Sequence, residues 1–407
     1  MTLKKVVLKT MLTIMYPQLL GIIKDFHGGI LPIKIESKLK LILKVPKEFI
    51  LTAKINNGFQ LFLTEIGIDK NTVPLIISTF YDDKDEPLVI KTPLFEEELS
   101  YWYKEFLLQD KCEVHFFNEN NYELLSCSVE ISKNDTCSRK IEELKFIRIE
   151  DINFRALQIE LNDWFILDKL DQNLKLELKF LKDELLSNYM ILDASANSKE
   201  HVTDNLIYHT QLEREEPGAF QESEIVKILG RVFETDNIFL NPLRLEDGEE
   251  IADIMIITNS EILVIQAKDS PNTEELLSNT LERKKSKTIK HLSKAIRQYE
   301  GAVKYLSKSH TLNFKIGNES FTQNIDKKNV YSLIVVKELF LEDYAKYSEM
   351  LLPKSNQLNK PCIFLDFIDL HKFSMVYKGD KESFIGLCDR IYTFANANKI
   401  FAKTIVN

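Results

Sequence analysis

Two apolar runs, Ile251–Ile257 and Glu261–Lys268, are separated only by Thr258-Asn259-Ser260. Short apolar runs bounded by a turn read as strands, and so brief a connection makes them neighbours. On either side the period becomes helical. A helix is expected over Gln221–Phe233 and another from about Thr288 to Leu306, with apolar residues at 289, 292, 296, 299, 303 and 306. Strands follow at Val330–Lys337 and Cys362–Ile368, then a helix over Lys381–Lys399. Helix, hairpin, helix, strand, strand, helix predicts an α/β domain over 205–407, with a mixed central sheet flanked by helices.

The rest of the 407 residues reads differently. Residues 1–150 form an α+β region, expected to be a recognition or regulatory domain. Strands are expected at Lys38–Val45, Phe49–Ile55, Gln60–Leu63, Val73–Tyr81 and Cys112–Phe117, with a hairpin turn at Asn57-Gly58 and a helix over Phe95–Leu108. Residues 151–204 read as a helical connector and linker. Between 155 and 190, Leu174, Leu176, Leu178 and Phe180 alternate like a strand, while Leu170, Leu174, Leu178, Leu181 and Leu185 step like a helix. The Leu/Lys/Glu content favours helix. Asp193–Asp204 loses all periodicity and is expected to be the linker.

Composition narrows the function classes. With 44% hydrophobic and 28% charged residues, the chain is not disordered. No run of 18 uncharged apolar residues occurs, so no membrane partner is expected. The basic start Met1-Thr-Leu-Lys-Lys, without a small-residue cleavage site, gives no signal peptide. Five cysteines without a CxxC pair suit buried thiols in a cytoplasmic protein. Seven histidines lack paired-ligand spacing, and no Walker A, GxGxxG or GxSxG sequence is present, which argues against zinc, nucleotide and serine-hydrolase sites.

Net charge is −9 but unevenly spread. Arg283–Lys308 carries nine Lys/Arg against one Glu, whereas Tyr81–Glu123 carries twelve Asp/Glu against four Lys and reads as a solvated acidic face. On the basic helix, Lys290, Lys294 and Arg297 form a stripe beside the apolar seam. They are the candidate nucleic-acid-binding residues, through backbone phosphates. Gln298, between seam and stripe, could help position substrate, but a plain surface glutamine is the favoured expectation.

The hairpin itself carries the chemistry. Asp253 opens one strand and Gln266-Ala267-Lys268 closes the other. Residues two apart on a strand share a face, so Gln266 and Lys268 point the same way, near Asp253. Upstream, Glu222 with Ile225, Val226 and Leu229 occupies i, i+3, i+4 and i+7, which puts its carboxylate on the buried stripe of its helix. Glu215, Glu216 and Glu224 are rival acids. Buried carboxylates need compensation, and a hard divalent cation with oxygen ligands provides it. Mg²⁺ or Mn²⁺ would take Asp253 as central ligand, with the Ala267 carbonyl and Glu222, directly or through water. Lys268 would orient or help deprotonate an attacking water, and the Gln266 amide would accept or weakly ligate.

Glu222, Asp253 and Gln266-Ala-Lys268 resemble the PD-(D/E)xK nuclease superfamily, in the variant where Gln replaces the second acid. Gly218-Ala-Phe-Gln-Glu222-Ser-Glu-Ile-Val-Lys-Ile-Leu229 looks like the first helix of Mrr-type restriction endonucleases. The resemblance covers roughly 205–400. Ala252 stands where the superfamily has Pro, and Gln266 removes one carboxylate. The resemblance implies a restriction-endonuclease-like domain, an Mg²⁺-dependent DNA endonuclease and a role in restriction or anti-phage defence. DNA would be the partner, with a protein partner for the N-terminal domain and a homo-oligomer as further expectations. The alternative is a non-catalytic, nuclease-like interaction or sensor protein.

Overall fold

The computed structural model describes residues 12–82, 87–163, 170–183, 190–192, 207–209, 218–270, 273–277 and 279–403. The expected linker Asp193–Asp204, the rival acids Glu215 and Glu216, and the extreme N-terminus lie outside the described residues. The chain divides into two compact units. The first comprises Met1–Leu192, Ile207–Glu213 and Asn272–Ser278, and the second Asp193–Leu206, Arg214–Pro271 and Asn279–Asn407. Among the described residues, no helix is long and apolar enough to cross a membrane.

The first unit is built on an eight-stranded sheet of β1 (Gly29–Ile35), β2 (Lys38–Lys44), β3 (Gly58–Ile68), β4 (Asn71–Phe80), β5 (Leu88–Pro93), β6 (Lys111–Phe117), β7 (Glu123–Ser132) and β8 (Lys175–Asp183). Their spatial order is β1-β2-β6-β7-β8-β3-β4-β5, with only β2 and β6 parallel. The unit also holds helices α1 (Lys47–Ile55), α2 (Glu98–Leu108), α3 (Asp135–Glu142) and α4 (Phe154–Asp163), besides shorter ones at Leu12–Met15, Leu19–Asp25 and Glu274–Leu277. One apolar cluster, with Leu41, Leu61, Val114, Val129 and Leu178, lies against α1 and α2 residues such as Ile50 and Phe106. A second cluster joins Phe62, Val73 and Leu75 to Leu157 of α4. A short strand pair, β9 (Met190–Leu192) and β10 (Ile207–His209), is antiparallel.

Three expectations are corrected here. Phe49–Ile55 is helical, not a strand. Its residues Phe49, Ile50, Leu51, Thr52 and Ala53 are all buried, and a helix buried all round has no polar stripe to reveal its period. The Leu-rich stretch expected to be a helical connector contains strand β8, which pairs with both β3 and β7. Leu176, Leu178 and Phe180 are buried while Glu177 and Lys179 are exposed, so tertiary pairing overrides a helix-favouring composition. Asn57-Gly58 is not a hairpin turn. It links α1 to β3, with φ +52° at Asn57 and +150° at Gly58, and a Cβ on Gly58 would collide with the carbonyl oxygen of Leu178.

The second unit carries a five-stranded sheet of β11 (Ile238–Leu240), β13 (Ile254–Ile257), β14 (Glu261–Lys268), β17 (Asn329–Val336) and β18 (Cys362–Asp366), in that order. The β11-β13-β14 part is antiparallel and the β14-β17-β18 part parallel. A smaller sheet is formed by β12 (Leu243–Arg244), β15 (Thr311–Ile316) and β16 (Glu319–Asn324). The helices are α5 (Gly218–Leu229), α6 (Leu281–Leu306), α7 (Tyr344–Leu358), α8 (Phe367–Val376) and α9 (Lys381–Asn398). Continuous burial of β13 (254–257), of 262–267 in β14 and of β18 follows from helices on the sheet: Leu292, Ile296 and Tyr299 of α6, Ile225 and Leu229 of α5, and Phe373 of α8 share its core. A mixed α/β architecture around a mixed sheet is thus present.

Gly58→Ala should destabilise the first unit by roughly 1–3 kcal/mol, because the extra methyl forces β3 away from β8. Both tryptophans of the chain, Trp102 and Trp164, fall within Met1–Leu192. Urea unfolding followed by tryptophan fluorescence therefore reads this unit, and the midpoint should fall.

Candidate active site

The register of β13 on β14, Ile254 opposite Ile265 and Ile257 opposite Ile262, brings Asp253 across from Gln266 at the sheet end. Asp253 is only 4% exposed. Its Oδ2 accepts the Ala267 backbone N–H at 2.5 Å and the Lys268 ammonium at 2.7 Å. Lys268 Nζ also donates to the Ala267 carbonyl at 2.7 Å. A carboxylate taken out of water at the end of two apolar strands is costly. A cation and a backbone donor on the same oxygen are what make it tolerable.

Glu222 arrives from α5 by way of Asn241. The Asn241 backbone N–H donates to the Asp253 carbonyl at 2.9 Å, and its side-chain amide donates to Glu222 Oε2 at 3.1 Å. Asn241 holds φ +50°, the left-handed region that asparagine enters more readily than most residues. Burial, then the Asp253 charge, raises the Glu222 carboxyl above its usual range, against the pull of Asn241 and Lys268. The expected helix phase is off by one step. Gln221 and Glu224 are buried, whereas Glu222 is half-buried at the border of the stripe. That border position is what lets it face both the core and the Asp253 end of the sheet.

One acid of this cluster was not foreseen. Glu250 lies in the loop before β13, in a Gly248-Glu249-Glu250 run that reads as a solvated turn. Its carboxyl is pushed up to about 7 by burial, by the Asp253 charge, by a hydrogen bond with Asp253 and by Glu222, with Lys268 opposing. The residue as a whole stays exposed, so solvent moderates both the burial and the crowding contributions to this shift. The usable signal was an acid three positions before the strand-opening Asp253.

Gln266 is 2% exposed, and its Oε1 has no hydrogen-bond partner. Gln298 Oε1, from α6, is also buried and unpartnered. The expectation of a surface glutamine is corrected: the helix turns Gln298 toward the hairpin. Both amides line a cavity of about 200 Å³ with Arg244, Glu250, Ala252 and Gly301. Leaving a buried polar atom unsatisfied costs about 1–3 kcal/mol, so a polar occupant is favoured there. Ala252, standing where a proline was expected, forms part of this wall.

A cationic margin lies on the other side of Lys268. Burial, then Lys287, Lys268 and Lys294, holds His291 down to about 4. Burial and Lys337 lower Lys287, against Asp269. Lys287, His291, Lys294 and Gln298 are spaced 4, 3 and 4 apart, so one face of α6 meets the site. The expected stripe of Lys290, Lys294 and Arg297 is exposed, and of the three only Lys294 acts on His291.

Asp253, Glu222, Glu250 and Gln266 carry oxygen donors, the type a hard cation takes. They do not make a closed cage: among the described residues, no three His, Cys, Asp or Glu side chains are grouped closely enough to hold a metal ion. No family model, curated protein or solved structure matches this chain.

The raised Glu250 carboxyl has a testable consequence. Ordinary glutamate titrates near 4.3, so between about 4 and about 7 the folded chain keeps a proton that the unfolded chain has lost. This group's stabilising contribution therefore falls as pH rises through that window. His291, held low, has the opposite slope. Glu250→Gln should make Tm rise more steeply, or fall less, between pH 5 and 7.5 than in the parent, as read by differential scanning calorimetry.

Proposed function

We propose that the second unit is a metal-dependent endonuclease that hydrolyses DNA phosphodiester bonds, and that the first unit recognises a partner, a DNA feature or a signal. The observation that carries this reading is the buried Asp253–Lys268 pair with Glu222 and Glu250 crowded against it. Three acids are gathered at one sheet end despite mutual repulsion, beside a lysine. Folding alone has no use for that crowding, whereas phosphodiester hydrolysis needs both signs of charge within reach of one phosphorus.

Asp253 would be the central ligand of Mg²⁺ or Mn²⁺, with Glu222, directly or through water, and the Ala267 carbonyl adjacent, the remaining positions going to water. Bound there, the ion supplies Lewis-acid polarisation of a phosphoryl oxygen and lowers the pKa of a coordinated water. Lys268, held by Asp253 and the Ala267 carbonyl, stands ready to orient the attacking water and offset phosphate charge. Glu250, with its carboxyl near 7, can give up or take a proton close to neutral pH. Gln266 and Gln298 offer two amide oxygens to a polar substrate group. Lys290, Lys294 and Arg297 would add sequence-independent contacts to the phosphate backbone. A restriction or anti-phage role in the cytoplasm follows from the PD-(D/E)xK resemblance.

A non-catalytic nuclease-like module is the second reading. It is favoured by the saturation of Asp253 Oδ2 by Lys268 and the Ala267 N–H.

The two readings separate in a cleavage assay of the full chain on supercoiled DNA and on RNA, with Mg²⁺, Mn²⁺ or EDTA. Metal-dependent DNA cleavage is expected, falling by roughly 10²–10⁴-fold in Asp253→Asn and Lys268→Ala, with less loss in Glu222→Gln. Thermal melts of each variant establish that it is folded. Full activity in EDTA, or retained cleavage by Asp253→Asn, removes the assigned site. Inert parent protein under every condition establishes the second reading.

A further inference from the structure

The cations beyond Lys268 have no part in the hydrolytic step, yet their placement is specific. β14 and β17 run parallel, with Lys268 opposite Val336, so Lys337 follows one residue beyond the same sheet end. Neighbouring strands lie about 4.8 Å apart, which puts the two lysine backbones on adjacent rungs. In parallel sheets, ligands bind outside the carboxyl ends of the strands. The first turns of α6 are pinned over that end: Thr288 Oγ1 donates to the Glu338 carbonyl at 3.5 Å, and Lys285 pairs with Glu342 at 3.0 Å. The same helix then presents Lys287, His291 and Lys294 on one face, and no acid occurs between Glu282 and Glu300.

These like charges are partly withdrawn from water. Lys287, His291 and Lys337 are all half-buried. Burial first, and then Lys287, Lys268 and Lys294, hold His291 low, while burial and then Lys337 lower Lys287 against Asp269. Gathering half-buried cations at one sheet end is unfavourable by itself, and an oxyanion with several acceptor oxygens reverses the sign of every such interaction.

We propose that Lys287, His291 and Lys337 form an anion pocket that holds the phosphate next to the scissile one, gripping the substrate strand at two consecutive phosphates. This placement rests on the nuclease reading above, whereas the pocket's affinity for a phosphate oxyanion does not. Lys268 then stands between the acid cluster and the pocket, and the strand crosses the sheet end from one to the other. His291 binds as the imidazolium, because a bound phosphate stabilises the charge that its lysine neighbours otherwise suppress.

The test titrates His291 in the full chain by NMR, its imidazole signal assigned by comparison with His291→Gln, with inorganic phosphate as the probe. The titration midpoint, near 4 without ligand, should rise by about one pH unit or more in saturating phosphate. Chloride at equal ionic strength should not reproduce the rise. Lys287→Ala/Lys337→Ala should abolish the response to phosphate while raising the ligand-free midpoint. A midpoint unmoved by phosphate, moved equally by chloride, or still responsive in the double variant overturns the pocket, whatever the cleavage assay shows. A phosphate response in a chain that cleaves nothing leaves the pocket standing and removes the nuclease reading.

Where cleavage is observed, the double variant should raise KM roughly 10-fold with little change in kcat. A neutral methylphosphonate at the adjacent phosphate should cause a similar rise in the parent and add nothing in the double variant. Additive effects overturn the assignment to the neighbouring phosphate.

Discussion

The second unit depends on one buried carboxylate. Asp253 sits where β13 begins, beside strands that are apolar on both faces, and is 4% exposed. A charge in that position is stable only if both cation and backbone donors reach it. Lys268 and the Ala267 N–H do so on the same oxygen. Much else follows from this requirement. The β13–β14 register must bring residue 253 opposite 266. Lys268 must fold back over its own strand end, and Asn241 must enter the left-handed region to tie the Asp253 carbonyl to Glu222. Replacing the pair by apolar residues would suit the core at least as well, so stability alone does not account for it.

From this pair the charges are arranged by strand order. Acids lie on the β13 side, Lys268 terminates β14, and Lys337 follows β17 beneath the basic turns of α6. A polar cavity with two unsatisfied glutamine oxygens opens on the same hairpin. Under the proposed phosphodiester chemistry, charge separated on a rigid sheet end would not have to reorganise when a phosphate approaches, which is the physical basis of electrostatic preorganisation. Burial, first on both, raises Glu250 and lowers His291, and the neighbouring acids on one and lysines on the other add to each shift.

The first unit shows where local signals fail. Leu174–Phe180 carries two periods at once, and only the vacancy between β3 and β7 selects the strand. Phe49–Ala53 is buried on every side, so its helix leaves no polar stripe to detect. Gly58 is required not by a turn but by the Leu178 carbonyl that packs against it.

What the sequence by itself determined is local and periodic. The hairpin of Ile251–Lys268, the amphipathic basic helix, and the placing of Lys268 near Asp253 all follow from two-residue or 3.6-residue spacing within short stretches. What only the tertiary structure decided is the set of groups brought together across long separations. The phase of α5 placed Glu222 at the border of its buried stripe rather than within it. Glu250 became an acid of the cluster because its loop folds back over Asp253, although in sequence it is one of several loop acids. Gln298 came to line the cavity, and His291 came under the charge of Lys268, because of how α6 packs on β14 and β17. Spacing along the chain specifies which residues share a face. Only the packing of one element on another specifies what that face meets, since burial energy depends on the partner surface and not on the chain that supplies it.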